Sequence, residues 1–308
     1  MQNKTQPNYP KLAIVGRGAI GGLIGFKCHQ LGYDYQHLIK TQQQPRSEVT
    51  DIAGVKHNFI PITSIVTKPN QFDLLILPVK AYQIMLVLKK LELFIQPNHI
   101  IVLLHNGMGT IDQVKEKLPN NPLIAATTSY GAYKLDSNTL IETGLGQTHL
   151  GWLTPCDKSS QQTIEILLSS LLPPSIWHHD IDLALWKKLA INAVINPLTA
   201  IHKIKNGQLS SSQYQSDVLE ICTEIAKVMT ASGYVTGTSE LIRNVKHVID
   251  ATANNYSSMH QDITFNRQTE IEFINGYVVN IAKKLKLSVP LNEQLVMQIN
   301  AIGNNNKG

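Results

Sequence analysis

The stretch AIVGRGAIGG, Ala13 to Gly22, decides the fold. It joins a short apolar run, KLAIVG, to a segment of helical spacing, AIGGLIGFKCHQLG, which closes on Gly32 as a helix C-cap. Gly16, Gly18 and Gly21 stand in the GxGxxG spacing between that strand and that helix. The first glycine permits a tight turn, and the second lets backbone approach a pyrophosphate. The third lets helix and strand pack closely, so that phosphates rest on the helix N-terminus. Glycine-rich turns are common, so the spacing alone is weak. Its place between a strand and a helix near the chain start favours dinucleotide binding over a plain structural turn.

Working outward, YDYQHLI, FDLLILPV, HIIVLLHNG and PLIAATTSYG read as further strands, with helices expected over 81–93 and 110–118. Continuous β-branched and Leu-rich runs of this kind suit buried parallel strands. Later strands are expected around 139–151 and 175–178, flanking a helix at 161–172. After Asp180 strand signals stop, and helical patterns follow at 181–200, 212–232, 238–255, 267–286 and 291–302. The expected architecture is α/β: a Rossmann-type dinucleotide-binding domain over residues 1–180, then an all-α domain over 181–308.

The second strand of a dinucleotide fold that prefers NAD usually ends in an acid that holds the ribose 2′-hydroxyl. Here HLIK supplies Ile39 and Lys40. A missing acid beside a cation favours a 2′-phosphate, hence NADP, against the alternative of a solvated lysine at a strand end.

WKKLAINAVINPLTA, Trp186 to Ala200, is apolar nearly all round, yet Lys188, Asn192 and Asn196 recur at every fourth position. At 3.6 residues per turn they share one face, while Lys187 points about 100° away. Polar groups on an otherwise apolar helix cost free energy unless paired, so this face must meet water or a polar ligand. Lys80 in LPVKAYQ and Asn106 in LLHNGMGT sit at strand ends, where open α/β sheets bind ligands. Asn255, Ser258 and Glu270 stand out in the helical part; each alone reads more readily as a surface or capping residue.

These pieces together resemble the ketopantoate reductases over nearly the whole chain. The resemblance rests on GRGAIGG, VKAYQ, HNGMGT, WKKLAINAVINPLTA, NG at 206–207, DATANNYSSMHQD and TEIEFINGY, in that order. It implies NADPH-dependent reduction of the 2-keto group of ketopantoate to pantoate, for coenzyme A synthesis. It implies that Lys188 is the general acid and also binds substrate, and that Asn192, Asn196, Asn206, Asn255, Tyr256, Ser257 and Ser258 line the substrate site. Cofactor binding is implied for Gly16, Arg17, Gly18, Ala19, Ile20, Gly21, Lys80, Ala132 and Glu270, and for Asn106, which also meets substrate. Two departures stand out: Lys40 and Tyr130 occupy positions where a family member carries Arg and His. On this reading the Lys/Asn stripe becomes one wall of a cleft between the domains.

Two other readings keep the same architecture. One is a related NADP-dependent reductase of another 2-keto or 3-hydroxy acid. The other is a non-catalytic NADP-binding sensor, which the presence of Lys188, Asn192, Ser258 and Glu270 disfavours.

Composition agrees with a small-molecule enzyme. The chain has 308 residues, 43% hydrophobic and 16% charged, with a formal net charge of +5. No dense Lys/Arg run suggests nucleic acid, and no apolar run is long enough to span a membrane. Cys28, Cys156 and Cys222 lie far apart, without metal-ligand spacing, so no zinc site or disulfide framework is expected. On that cysteine usage a reducing cytoplasm is the simplest home, and MQNKTQPNYP lacks a signal peptide's apolar core. A monomer and a homodimer both remain open.

Overall fold

A computed structural model of the chain describes residues 9–40, 46–65, 67 and 71–305. Its first element is the apolar run before the glycine turn, β1 (Leu12–Val15), followed by α1 (Ala19–Leu31) and β2 (Tyr35–Leu38). Gly32 ends α1 in the left-handed conformation (φ 70°). After β3 (Ser47–Thr50), β4 (Lys56–Phe59) and β5 (Thr63–Ser64) come β6 (Leu74–Leu77), α2 (Ile84–Leu91), β7 (Ile100–Leu104), α3 (Ile111–Lys117) and β8 (Leu123–Thr128). The α/β part closes with β9 (Gly131–Lys134), β10 (Thr139–Gly144), β11 (Thr148–Thr154), α4 (Lys158–Leu171) and β12 (Ser175–His178).

The main sheet runs β12-β11-β8-β7-β6-β1-β2-β5, all parallel except the β11–β8 pair. Strand order reverses beside β1, which pairs with both β2 and β6. The ends of strands at such a switch point are where dinucleotides bind. Both faces of the sheet are covered. Leu74 and Ile76 of β6 share a core with Leu23 and Phe26 of α1 and with Leu167 of α4. Leu75 and Leu77 face the opposite core, with Leu88 of α2 and Val114 of α3. That double burial is why β6 and β7 read as unbroken apolar runs rather than as alternating ones.

Of a second sheet, β4-β3-β10-β9, only β10 falls where the sequence suggests a strand, within 139–151. SEVT and KHNF are short and polar, and only alternate residues are buried, such as Ser47 and Val49. The parallel β3–β10 pairing that organises the sheet joins segments far apart in sequence, which local patterning does not report. Val49, Phe59 and Leu140 anchor it in the core that α1 shares.

The chain from Asp182 onward forms a helical unit that also includes the short segment Asn106–Gly109. Its helices are α5 (Asp182–His202), α6 (Gln215–Ala231), α7 (Thr238–Ala251), α8 (Ser258–Thr264), α9 (Asn275–Lys284) and α10 (Pro290–Asn305). The helix expected over 267–286 begins only at Asn275. Before it, a 3-10 turn at Ile271–Phe273 hangs on the Glu270 carbonyl, which accepts from Phe273 N and Ile274 N at 3.0 and 3.1 Å. The helix expected over 238–255 stops at Ala251, where the Thr252 hydroxyl bonds back to the Val248 carbonyl at 2.6 Å.

Pro197 lies inside α5 and has no N–H to give the Ala193 carbonyl, which a regular helix would leave stranded. The Asn275 side chain fills that role, donating from Nδ2 to the Ala193 oxygen at 2.9 Å. The same Nδ2 donates to Asn292 Oδ1 at 2.9 Å, and Asn292 Nδ2 donates to Glu224 at 2.7 Å. Glu224 also accepts from the Leu291 and Asn292 backbone N–H groups at 2.9 and 3.0 Å, capping the first turn of α10. This buried chain of polar groups fixes α5, α6, α9 and α10 to one another. Among the described residues no helix is long and apolar enough to cross a membrane.

Candidate active site

In the first unit the glycine turn has the features of a phosphate cradle. Gly16 has φ 75°, which favours glycine, and its N–H donates to the Leu38 carbonyl at 2.9 Å. A Cβ on Gly21 would lie 3.1 Å from Pro78 and 3.3 Å from the Gly16 oxygen, so the third glycine is needed for helix and strand to approach. Around Gly16 and Gly18, by contrast, an added Cβ meets nothing within 4 Å, leaving open space over the N-terminus of α1. The first turn of that helix carries no acid, so its positive end is uncompensated. Ala19 and Ile20 form the opening of α1, and Ala132 lies on β9 opposite Glu142.

His37 is a functional candidate that the sequence reading passed over. It is buried on β2, and its Nδ1 donates to the Gly16 carbonyl at 2.8 Å. Burial pushes its pKa down to about 4, so near neutral pH the ring is uncharged and braces the turn as a hydrogen-bond donor. The ring occupies the space where a side chain on Gly25 would sit. A glycine one helical turn beyond Gly21, opposite a histidine in an apolar strand, was the only trace of this in the sequence. Lys40 lies just beyond β2 and is exposed. Lys80 is half-buried after β6, at the N-cap of the 3-10 turn Ala81–Gln83. Tyr130 is buried, and its hydroxyl donates to the Pro173 carbonyl.

In the helical unit, α5 carries Lys188, Asn192 and Asn196 along one face. The first two are half-buried and Asn196 is 5% exposed. Burial pushes the Lys188 ammonium down to about 8, while the Glu270 carboxylate acts in the opposite sense. Lys187, one residue earlier, reaches the surface and pairs with Glu240 at 3.0 Å. Glu270 is 3% exposed and accepts from Asn106 Nδ2 at 3.5 Å. Asn106 is held there because Met108 N donates to the Phe273 carbonyl at 2.8 Å. Gly107 (φ 80°) comes so close to that carbonyl that any Cβ would collide with it. The sequence HNGMG thus delivers an amide beside the Glu270 carboxylate, which itself bears on Lys188.

The remaining candidates come from one pairing of loops. Asn206 N donates to the Asn255 carbonyl at 2.9 Å, and Gly207 N to the Ala253 carbonyl at 3.1 Å. Asn206 Nδ2 donates to the Thr252 hydroxyl at 2.9 Å, while its buried Oδ1 has no partner. Asn255, Tyr256 and Ser258 are exposed. Ser257 is buried: its hydroxyl accepts from His260 N at 3.1 Å as the cap of α8, and from Thr199 of α5 at 2.7 Å. Its side chain therefore supports the loop, whereas Asn255 and Ser258 present theirs outward.

Comparison with known proteins gives this geometry a family. Residues 12–155 match the family described as Ketopantoate reductase PanE/ApbA, and residues 180–303 match its C-terminal part. A 2-dehydropantoate 2-reductase of Vibrio cholerae is 34% identical over 94% of this chain and 97% of its own length. One from Escherichia coli O157:H7 is 36% identical over 92% of each. The chain belongs to the ketopantoate reductase family. The structure of a probable 2-dehydropantoate 2-reductase from Bacillus subtilis aligns over 95% of this chain and 99% of its own, at TM-score 0.75 and 26% identity. The ternary structure of a D-mandelate dehydrogenase with NADH and anilino(oxo)acetate shares the fold, at TM-score 0.89 and 24% identity, over 96% of this chain and 99% of its own.

As a member of this family the protein is an oxidoreductase acting on a 2-keto acid. Its first unit fits a dinucleotide on its own geometry, through the open space over Gly16 and Gly18 and the uncompensated start of α1.

Proposed function

We infer that the protein is a 2-dehydropantoate 2-reductase that uses NADPH. The observation that carries this reading is the half-buried Lys188, held at about 8 on the polar stripe of an otherwise apolar helix. A nicotinamide dinucleotide seated on the glycine turn would supply the hydride. Lys188 Nζ would hold the proton that the keto oxygen needs as it becomes a hydroxyl. A lysine near 8 is largely protonated at neutral pH and yet releases its proton more readily than a solvated one. Asn192 and Asn196, on the same face, offer amides to the polar substituents of the keto acid, as does the exposed Asn255, and Ser258 offers a hydroxyl. Asn206 Oδ1 is a buried acceptor that a substrate hydroxyl would satisfy. Glu270 acts on Lys188 by charge, favouring its protonated form.

The NADPH preference is supported by the absence of an acid at Ile39–Lys40 and by the cations near the glycine turn. The test is oxidation of NADPH and of NADH with ketopantoate, pyruvate and 2-ketoisovalerate, compared as kcat/KM. Ketopantoate with NADPH should lead the panel by at least tenfold. A higher kcat/KM for another keto acid would overturn the substrate, and an equal or better rate with NADH would overturn the cofactor.

A further inference from the structure

Arg17 does not project freely from the glycine turn. Its Nη2 donates to the Ser47 hydroxyl on β3, so its guanidinium reaches from the turn to the second sheet. A small cavity opens there, lined by Arg17 of the turn, His37 of β2, Ser47 and Glu48 of β3, and Lys134 and Asn138 of the β9–β10 hairpin. Partial burial and the neighbouring guanidinium both hold the Lys134 ammonium below its ordinary value, so two cations crowd one hollow.

The nearby acids are committed elsewhere. Asp136 accepts from the Asn138 and Thr139 backbone N–H groups at 2.7 and 2.8 Å, which locks the hairpin, and its charge offsets Lys134 only in part. Glu48 pairs with Lys56 at 3.0 Å. Arg17 has no carboxylate partner among the described residues. Lys134 Nζ donates to the Ser137 carbonyl at 2.7 Å, which leaves its charge unneutralised. The walls are fixed by ladder pairing: β3 runs parallel to β10, and Glu48 N donates to the Asn138 carbonyl at 3.0 Å. The hollow adjoins both the glycine turn and the end of β2, which is the region where dinucleotide folds read the adenosine ribose.

We propose that Arg17, Lys134 and Ser47 form the subsite that reads a phosphate on the 2′-oxygen of the adenosine ribose, with the second sheet supplying its outer wall. This rests on the NADPH reading and adds Lys134 and Ser47 of the second sheet to the sequence candidates Lys40 and Arg17. An arginine fork suits a phosphate better than the point charge of a lysine, and Ser47 adds a hydroxyl donor once Arg17 turns to the anion.

The experiment is calorimetric binding of 2′,5′-ADP and of 5′-ADP to the whole protein, with no turnover involved. Wild type should prefer 2′,5′-ADP, and Arg17→Ala and Lys134→Ala should each cut that preference about 10- to 100-fold, as loss of a charge-assisted contact does. Arg17→Lys should keep an intermediate preference. Lys115→Ala, on α3, should leave the ratio alone. Thermal unfolding of each variant separates loss of the pocket from loss of the fold. If wild type prefers 2′,5′-ADP while Arg17→Ala and Lys134→Ala keep that preference and Lys40→Ala abolishes it, the pocket is refuted and the NADPH reading survives. If wild type binds both nucleotides alike, the NADPH reading itself has failed.

Discussion

Lys188 and Lys187 are adjacent, yet their surroundings assign them opposite fates. Lys187 is on the surface, paired with Glu240, whereas Lys188 is held at about 8 by burial. Lys188→Ala should lower kcat about 10²- to 10⁴-fold with the cofactor still bound, the range for a lost general acid. Lys187→Ala should stay within a few-fold, because an exposed ion pair contributes about 0–1 kcal/mol. The acid must be protonated to act, so wild-type kcat/KM should fall as pH rises through about 8, and the Lys188→Ala variant should lack that limb. The same shift has a stability consequence. Between about 8 and the ordinary lysine range the unfolded chain binds more protons than the folded one, so stability should rise with pH across that window. Below it the cost of holding the charged lysine is fully present. Lys188→Met should therefore be more stable than wild type at pH 7 by urea unfolding while being inactive. A melt that shows it less stable would mean that Glu270 outweighs burial.

At the scale of elements, α5 holds its shape through a side chain from α9. Asn275→Ala would leave the Ala193 carbonyl without a donor and remove one bond to Asn292. The cost should be about 1–3 kcal/mol, read as a lower urea midpoint with unchanged slope. A midpoint equal to wild type would mean that the Ala193 oxygen finds another donor. This element also shows what was legible beforehand. The i, i+4 recurrence of Lys188, Asn192 and Asn196 is a local signal, and the helix carries all three on one face. The glycine turn, with its flanking strand and helix, was equally local. His37, Ser47 and Lys134 were not legible, because their roles come from pairings between distant segments. A histidine in a strand and a lysine in a four-residue hairpin strand look ordinary until β2, β3 and β9 converge. Asn275 was hidden for a related reason: its partner is a backbone oxygen freed by a proline on another helix. Ser257, read with its neighbours as a substrate residue, spends its hydroxyl on a helix cap, a distinction sequence adjacency does not make.

Across the whole molecule, each unit keeps one thiol sealed in its own core. Cys28 of α1 and Cys222 of α6 are 0% and 1% exposed, and burial pushes both thiols up to about 12. Cys156, before α4, is only half-buried. The native protein should therefore react with a thiol reagent at Cys156 alone and give all three cysteines in denaturant, as counted by mass spectrometry. Early labelling of Cys28 or Cys222 would show that unit opening locally. The second sheet has a consequence of another kind, in the order in which the chain is made. Arg17 leaves the ribosome early, with β1, α1 and β2, and β3 and β4 soon after it. The strand that β3 pairs with, β10, and the lysine that faces Arg17 follow only after β6, β7 and β8 have been synthesised. A nascent chain halted before Thr139 would already carry Arg17, Ser47 and Lys134 but lack β10, the strand that pairs with both β3 and β9, so nothing in the sheet would yet hold the three together.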